Sequence, residues 1–333
     1  MQNDRRRKFT LSACALSLTM CFATGGVMAQ GQPSYPTKAI RLFVGFAPGS
    51  ASDAIGRVVA DQLGRRLGQP VVVENRPGAG GNLAAEAVAA AMPDGHTLLL
   101  ATGAVTTNAA LNPNAKMNVL RDLAPVALVA RTQMVLIVNK KLPVRNMAEF
   151  FSYAKAHPGE INYGSSGLGG ASHLNMELIG MEGGVRMTHV PYKGNSQAGL
   201  ALLGGEIQAL TDTTLLAKQA ISTGKVQALA VAGERRSALL PDVPTFTEAG
   251  FPQIQGSTFV GAIMAPAGTP DRILDVLNEN VNEVLKEPAV KAQLVDAGGL
   301  ELLGGTREEF SRELKANIKK WTKVVEATGM KAQ

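Results

Sequence analysis

Two short loops rich in serine and glycine have the composition of anion-binding sites. The first runs from Ala47 to Asp53, and the second contains Ser165 and Ser166. Each loop follows a short apolar run and precedes residues with helical spacing, so each is predicted to lead into the start of a helix. Unpaired backbone N–H groups and the positive end of the helix dipole meet there and can bind an anion without a cationic side chain. Two such loops predict a cleft that closes on a small anion.

The residues around the first loop predict a strand, a turn and a helix. Ile40 to Phe46 form an apolar run that suits a buried strand. Ser50 and Asp53 have the spacing of a capping box, in which the serine side chain accepts a hydrogen bond from the backbone N–H three residues later. The apolar residues from Ile55 to Leu63 then fall on one helix face. The helix is therefore predicted to begin near Ser50.

Strands alternate with helices along the next part of the chain. Val71 to Glu74 and Thr97 to Thr102 are predicted strands, and residues 53–67 and 82–91 are predicted helices. This alternation predicts βαβ units and a parallel sheet. Ligands of open α/β sheets bind at the carboxyl ends of the strands. Thr102 and the glycine-rich loop at residues 75–81 are therefore further candidates for the cleft.

Two long extended runs, Pro125 to Val138 and Ser257 to Met264, interrupt this alternation. We interpret them as crossings between two lobes, because a few residues in each crossing can absorb a hinge rotation. The sequence thus predicts an α/β fold with two lobes around a ligand cleft. Lobe 1 is predicted to comprise residues 30–130 and 258–333, and lobe 2 residues 131–257.

The first 29 residues have the pattern of a secretory signal peptide. Arg5 to Lys8 are basic, an apolar segment follows, and Ala29 precedes Gln30, where the mature chain is predicted to begin. The basic stretch fits either a twin-arginine signal or an ordinary Sec signal, and both export routes stay open. Frequent Ser, Thr and Gly residues argue against a membrane span in this segment.

Cysteine content and charge exclude several classes of protein. Cys14 and Cys21 both lie in the signal segment, so the mature protein is predicted to have no disulfide. Too few apolar residues precede Cys14 to favour a lipid anchor. The first 29 residues carry four basic residues and one acidic residue, so the charge of the mature chain falls from +6 to +3. This small charge argues against a nucleic-acid partner.

The sequence contains no motif typical of an enzyme. A metalloprotease H-E-x-x-H, a Walker A lysine and a G-x-S-x-G nucleophile elbow are all missing. No base is apparent beside Ser165 or Ser166, although a serine nucleophile requires one. His173 and His189 are predicted to be packing or surface residues and not metal ligands. We therefore predict a protein that is not an enzyme and that has no cofactor and no metal.

Six motifs, in order along the chain, resemble one family. They are FAPG at 46–49, ENRPGAGG at 74–81, PDGHTL at 93–98, GSSG at 164–167, VPYKG at 190–194 and LPDVPT at 240–245. Together they resemble the Bug/TctC family, the periplasmic solute-binding proteins of tripartite tricarboxylate transporters, over essentially the whole mature chain. One departure is Ser50, which stands where the first loop of this family commonly has a second glycine. Its side chain narrows the cleft slightly and adds a hydroxyl donor.

This resemblance implies a two-lobed periplasmic binding protein fold of type II and a location in the periplasm. It implies capture of a small carboxylate, held by main-chain N–H groups, hydroxyls and bridging waters, and delivery to integral membrane transporter subunits. The protein is expected to act as a monomer. Two alternatives stay open: a sensor that signals the carboxylate to a receptor kinase, and a periplasmic hydrolase that uses Ser165 or Ser166.

The candidate ligand-binding residues lie in loops of both lobes. In lobe 1 they are Phe46, Ala47, Gly49, Ser50, Ala51, Asp53 and Thr102. In lobe 2 they are Ser165, Ser166, Gly169, Tyr192, Lys193, Asn195 and Asp212. Asp212 either accepts a hydrogen bond from a hydroxyl or ammonium group of the ligand or caps the next helix. The sequence leaves open whether the ligand is a dicarboxylate, a tricarboxylate, an amino acid or an aromatic acid.

Overall fold

A computed structural model describes residues 35–113, 115–167, 169–192, 194–254 and 258–329. The predicted signal peptide, the predicted mature start at Gln30 and the candidate residue Lys193 lie outside these ranges. Among the described residues, no helix is both long and apolar enough to cross a membrane.

The strands of the described chain are short and mostly apolar. They are β1 (Ile40–Val44), β2 (Val71–Asn75), β3 (Thr97–Ala101), β4 (Leu123–Thr132), β5 (Met134–Asn139), β6 (Asn162–Ser165), β7 (Thr188–Pro191), β8 (Ala209–Thr213), β9 (Val226–Val231), β10 (Thr258–Pro266) and β11 (Glu301–Leu302). The predicted strands at residues 40–46, 71–74 and 97–102 agree with β1, β2 and β3 to within two residues at either end.

Helices connect most of these strands. They are α1 (Ala51–Leu67), α2 (Asn82–Ala89), α3 (Ala104–Leu111), α4 (Val119–Asp122), α5 (Met147–Ala156), α6 (Ala171–Gly183), α7 (Asn195–Gly204), α8 (Thr214–Ser222), α9 (Asp271–Val284), α10 (Pro288–Lys291) and α11 (Arg307–Thr328). A 3₁₀ turn, Ala79–Gly81, precedes α2, and a π-helical turn, Ala292–Ala297, follows α10. A capping box formed by Thr306 and Glu309 starts α11.

The strands form two sheets with the same internal order. The six-stranded sheet runs β2-β1-β3-β10-β4-β11, and the five-stranded sheet runs β7-β6-β8-β5-β9. In the first sheet β1 pairs in parallel with β2 and β3, and β10 lies antiparallel between β3 and β4. In the second sheet β6 pairs in parallel with β7 and β8, and β5 lies antiparallel between β8 and β9. Each sheet thus has one antiparallel strand inserted at the same place.

The inserted strands mark where the chain passes between the sheets. The predicted crossing at Pro125 to Val138 is two strands, β4 in the first sheet and β5 in the second, separated only by Gln133. On the return, β9 belongs to the second sheet and β10 to the first. The lobe boundaries at residues 130/131 and 257/258 stay a prediction. Because β4 remains in the first sheet as far as Thr132, the change of sheet falls at Gln133.

Both faces of the six-stranded sheet are covered by helices. Leu42 packs with Ile55 and Leu63 of α1 on one face, and Phe43 packs with Phe310 of α11 on the other. Successive residues of a strand point to opposite faces, which accounts for this division. Burying each of these large side chains contributes about 1.5–3 kcal/mol.

The C-terminal helix also reaches the helices of the second sheet. Trp321 and Val324 of α11 pack with Leu174 and Leu178 of α6 and with Ala110 of α3. We call this cluster the α11 junction. Trp321 is the only tryptophan of the chain, and it is buried. The junction therefore places one spectroscopic probe where elements of both sheets meet.

The backbone of Gly45 packs tightly against the backbone of Gly81 beside the first loop, and this contact gives a test of the packing. A Cβ atom on Gly45 would lie 2.5 Å from the Cα atom of Gly81. We expect Gly45→Ala to lower the free energy of unfolding by about 1–3 kcal/mol, since backbone on one side must move. Urea unfolding followed by circular dichroism measures this loss.

Gly199 in α7 provides the matched control. A Cβ atom there would meet nothing within 4 Å. Gly199→Ala should raise the free energy of unfolding by about 0.5–1 kcal/mol through better helix propensity. Equal losses in the two variants would contradict the close contact at Gly45.

Candidate functional site

An ionised aspartate holds the first loop against its helix. The Ser50 side chain accepts a hydrogen bond from the Asp53 N–H at 3.2 Å, as predicted for the start of α1. The Asp53 carboxylate accepts from the Gly49 N–H, Arg57 Nε and Asn75 Nδ2, each at 2.9 Å. The predicted capping box is therefore only half formed, because the return bond goes to Gly49 and not to Ser50.

These bonds indicate a positioning role for Asp53. Its side chain is buried, and hydrogen bonds from Arg57 and Gly49 hold its pKa well below the usual range. Both carboxylate oxygens already have protein partners. Ala47, Gly49 and Ala51 are exposed around it, and ligand contact by these residues stays a prediction.

The glycine-rich loop after β2 lies beside the first loop. Gly78, Ala79, Gly80 and Gly81 all have positive φ, and Ala79 is the only non-glycine residue of the described chain that does. Such a conformation costs an alanine about 1–3 kcal/mol and is typical of functional sites. A Cβ atom on Gly81 would lie 3.5 Å from the Phe46 ring, so the two loops are in contact.

Thr102 turns the chain at the end of β3. Its Oγ1 accepts a hydrogen bond from the Ala104 N–H at 3.3 Å, at the start of α3. Because β1 pairs in parallel with β2 and β3, the loops that follow these strands share one edge of the sheet. The structure thus brings together the lobe 1 candidates.

The second loop uses most of its own N–H groups internally. The bonds run from Ser166 N to Ser172 Oγ (2.9 Å), from Gly167 N to Ser165 Oγ (3.1 Å), from Gly169 N to His173 Nδ1 (3.0 Å) and from Gly170 N to Gly167 O (3.2 Å). The sequence analysis expected such N–H groups to face the ligand. In the structure, these four donors instead fix the shape of the loop.

Ser165 lies behind this loop, next to a histidine. Its side chain is 0% exposed, and its Oγ is 2.6 Å from His189 Nε2. The expectation that no base lies beside Ser165 is therefore wrong. Parallel pairing places Tyr163 opposite His189, which brings the imidazole to the serine two residues further on. Because Ser165 is fully buried, the geometry favours a positioning role over contact with a ligand or substrate.

Two stacked histidines form hydrogen bonds to the second loop. The rings of His173 and His189 stack at a centroid distance of 3.9 Å, and Tyr163 stacks on His189 at 5.1 Å. Burial, with a smaller contribution from His189, lowers the pKa of His173 to about 4. Burial also lowers the pKa of His189. His173 is therefore neutral near pH 7, and its unprotonated Nδ1 can accept the Gly169 N–H.

A chain of polar side chains extends from the exposed Ser166 to a buried carboxylate. Ser166 Oγ is 3.1 Å from Ser172 Oγ, which donates to Asn195 Oδ1 at 2.9 Å. Asn195 Nδ2 donates to Asp212 Oδ1 at 2.7 Å. Asp212 is 4% exposed, and burial raises its pKa to about 6. We call Ser166, Ser172, Asn195 and Asp212 the polar relay. Ser172 was not among the candidate residues from the sequence, although it is the second residue of α6, the helix that follows the second loop.

The helices that begin at this edge have no side-chain caps. The N-cap residues of α6, α7 and α8 are Gly170, Gly194 and Thr213, and none of them makes a side-chain cap bond. α2, α3, α9 and α10 also lack a side-chain cap, whereas α1, α4, α5 and α11 are capped by Ser50, Asn118, Asn146 and Thr306. The first N–H of α8, at Thr214, donates to Gln133 O at 3.2 Å. The starts of α6 and α7, at the carboxyl ends of β6 and β7, are helix ends of the kind at which an anion can bind.

Tyr192 and Lys193 complete the lobe 2 candidates. Tyr192 is half-buried, and its N–H donates to Ser165 O at 3.1 Å. Lys193 lies outside the described residues. No group of three or more metal-ligating side chains occurs within the described ranges.

The comparison with known proteins identifies the family. The model of the tripartite tricarboxylate transporter family receptor matches residues 55–330. This chain belongs to that family. The protein BugT of Bordetella pertussis is 36% identical over 312 residues, covering 93% of this chain and 95% of BugT.

Solved structures of relatives confirm the fold of this receptor family. MatC from Rhodopseudomonas palustris with bound malate is 33% identical, with a TM-score of 0.71, covering 87% of this chain and 100% of MatC. A second R. palustris protein, with adipate, is 34% identical, with a TM-score of 0.74, covering 89% of this chain and 99% of the other. The two-lobed periplasmic binding protein fold predicted from the sequence is confirmed. The family consists of solute-binding receptors.

The histidine stack makes stability depend on pH. An unfolded histidine has a pKa of about 6.5, whereas that of folded His173 is about 4. Between these values the unfolded chain binds a proton that the folded chain does not, so we expect the contribution of His173 to stability to fall as the pH is lowered through this window. Asp212, whose folded pKa of about 6 lies above its unfolded value, contributes in the opposite direction. The loss due to His173 should be of the order of 1–3 kcal/mol, measured as the difference between wild type and a His173 variant in urea unfolding near pH 7 and near pH 5.

Two glutamine variants isolate the contribution of His173. His173→Gln cannot take up the proton, so it should lose less stability than the wild type between pH 7 and pH 5. His157→Gln, which alters a histidine outside the stack with a side chain that is 43% exposed, is the control. A pH dependence that is the same in His173→Gln and in the wild type would refute the role of the buried imidazole.

Proposed function

We propose that this receptor binds a small carboxylate in the periplasm, between two lobes, and delivers it to integral membrane subunits of a tripartite tricarboxylate-type transporter. The observation that carries the proposal is the edge of the five-stranded sheet at β6, β7 and β8. There, the uncapped starts of α6 and α7 supply N–H donors, and the hydroxyl and amide groups of the polar relay supply neutral hydrogen-bonding groups. Such groups suit an anionic ligand that also needs orientation.

The chemistry of related proteins supports the ligand class. MatC was solved with malate and the second R. palustris protein with adipate, and both compounds are dicarboxylates. The transporter partner rests on the description of the family. A receptor kinase as partner would use the same binding step. The hydrolase alternative loses support because Ser165 is fully buried.

Closure would bring both sets of loops onto one ligand. In the proposed division, lobe 1 comprises residues 30–130 and 258–333, and lobe 2 residues 131–257. The second loop already lies against the other half of the chain, since a Cβ atom on Gly169 would be 2.6 Å from Leu111 Cδ1 of α3. A ligand that contacts both halves favours the closed form by the difference between its affinities for the two forms.

Ligand binding should be visible as thermal stabilisation of the chain from Gln30. We expect at least one small carboxylate from a panel of mono-, di- and tricarboxylic, aromatic and amino acids to raise the melting temperature. A ligand at about 100 times its Kd adds about 2.7 kcal/mol to the stability of the folded state. Ser166→Ala should weaken the shift, whereas Ser222→Ala, on an exposed turn of α8, should not. A panel in which only neutral compounds stabilise the protein would overturn the proposal.

Closure itself should change the fluorescence of Trp321. This residue lies in the α11 junction, between helices of both halves, so a hinge rotation alters its surroundings. We expect the emission to change on titration with a bound carboxylate, with the same Kd as calorimetry gives. Trp321→Phe should remove the signal and retain binding. Calorimetric binding without any change in wild-type emission would argue against rotation at this junction.

A further inference from the structure

The hydrogens of the polar relay are fixed by the group at its buried end. An ionised carboxylate can only accept hydrogen bonds. Asp212 Oδ1 accepts from Asn195 Nδ2 at 2.7 Å and from the Thr213 N–H at 2.8 Å. The amide nitrogen of Asn195 must therefore face Asp212, and its oxygen must face the other way, towards Ser172.

The orientation of Asn195 fixes the next hydrogen bond. An amide oxygen has no hydrogen to give, so at the distance of 2.9 Å Ser172 must be the donor. A serine hydroxyl carries one hydrogen, and this bond uses it. Ser172 Oγ can then only accept, and it accepts from the Ser166 N–H at 2.9 Å.

The same reasoning decides the bond between the two serines. Ser166 Oγ and Ser172 Oγ are 3.1 Å apart, and one of them must donate. Because the hydrogen of Ser172 is already used, Ser166 is the donor. Its backbone N–H and its hydroxyl hydrogen both point to Ser172, while its side chain is exposed. Ser166 therefore has only lone pairs to offer to a ligand.

We propose that the polar relay makes Ser166 a hydrogen-bond acceptor, so that this receptor selects carboxylates that also carry a hydroxyl or ammonium donor. The inference rests on the proposed function and specifies its ligand class. A carboxylate oxygen placed against Ser166 meets lone pairs, and a methylene group there displaces water without replacing its hydrogen bond. A hydroxyl or ammonium group of the ligand supplies the missing donor.

Asp212 fixes the direction of the relay although Ser166 makes the contact. An asparagine at position 212 keeps one oxygen, and that oxygen still accepts the hydrogen bonds from Asn195 Nδ2 and from the Thr213 N–H. Asp212→Asn is therefore expected to leave the direction of the relay unchanged. Ser172→Ala instead removes the group that takes the hydroxyl hydrogen of Ser166, and this hydrogen becomes free to bind a carboxylate.

The test compares ligand pairs that differ by one hydroxyl. Isothermal titration calorimetry is run near pH 8, where Asp212 is ionised, with malate against succinate and with 2-hydroxyadipate against adipate. We expect the wild type to bind the hydroxylated member about tenfold more tightly or better. Ser172→Ala should reduce this ratio to about one while the unsubstituted acid still binds, and Asp212→Asn should keep the wild-type ratio.

Two further variants make the outcome decisive. Asn195→Ala removes the acceptor of the Ser172 hydrogen, so Ser172 can donate to Ser166, and the ratio should fall even where Ser172→Ala fails to fold. Ser222→Ala, far along α8, should keep the wild-type ratio. Equal affinity of the wild type for both members of a pair, or a ratio that Ser172→Ala and Asn195→Ala leave unchanged, overturns the inference alone. Failure of every carboxylate to bind the wild type overturns the proposed function as well.

Discussion

Each sheet of this protein contains an inserted strand, which is the first strand that the chain forms after it passes from the other sheet. β5 bonds to β8 on one side and β9 on the other, and β10 does the same between β3 and β4. Each inserted strand therefore supplies the central hydrogen bonds of its own sheet at the point where the chain has just changed sheets. The chain makes the first passage through Gln133 alone. Its carbonyl accepts the Thr214 N–H at 3.2 Å, which connects the passage directly to the start of α8 beside Asp212.

The two loops of the candidate site are held by opposite electrostatic means. The first is fixed by the ionised Asp53, whose charge is offset by Arg57 at 2.9 Å. The second is fixed by neutral groups, namely Ser172, the buried imidazole of His173 and the half-buried imidazole of His189. A charged anchor without a counterion would repel an anionic ligand, so neutral anchors keep the potential at the second loop favourable. Asp212 is the exception, since it makes no ion pair within the described ranges and its burial raises its pKa.

The local sequence pattern was sufficient to predict helices and strands, but it was insufficient to predict contacts between side chains that are distant in sequence. The helix start at Ser50, the first strands and the crossing before Met134 were predictable, because periodicity and capping depend on near neighbours in sequence. The proximity of Ser165 and His189 was not, because it depends on the register of β6 against β7. The return bond of Asp53 to Gly49 depends on the backbone path of one turn, which the spacing of Ser50 and Asp53 does not specify.

The same limit explains why the two serines of the site looked alike in sequence. Ser50 Oγ accepts the Asp53 N–H, and no acceptor among the described residues takes its hydroxyl hydrogen. Ser166 gives its hydrogen to Ser172, so it keeps only lone pairs. One serine is therefore able to donate and the other only to accept, and this difference arises from Asp212, which is remote from both in sequence. In the proposed site, a ligand between them would be oriented by its own asymmetry, with a carboxylate oxygen towards Ser50 and a hydrogen-bond donor towards Ser166.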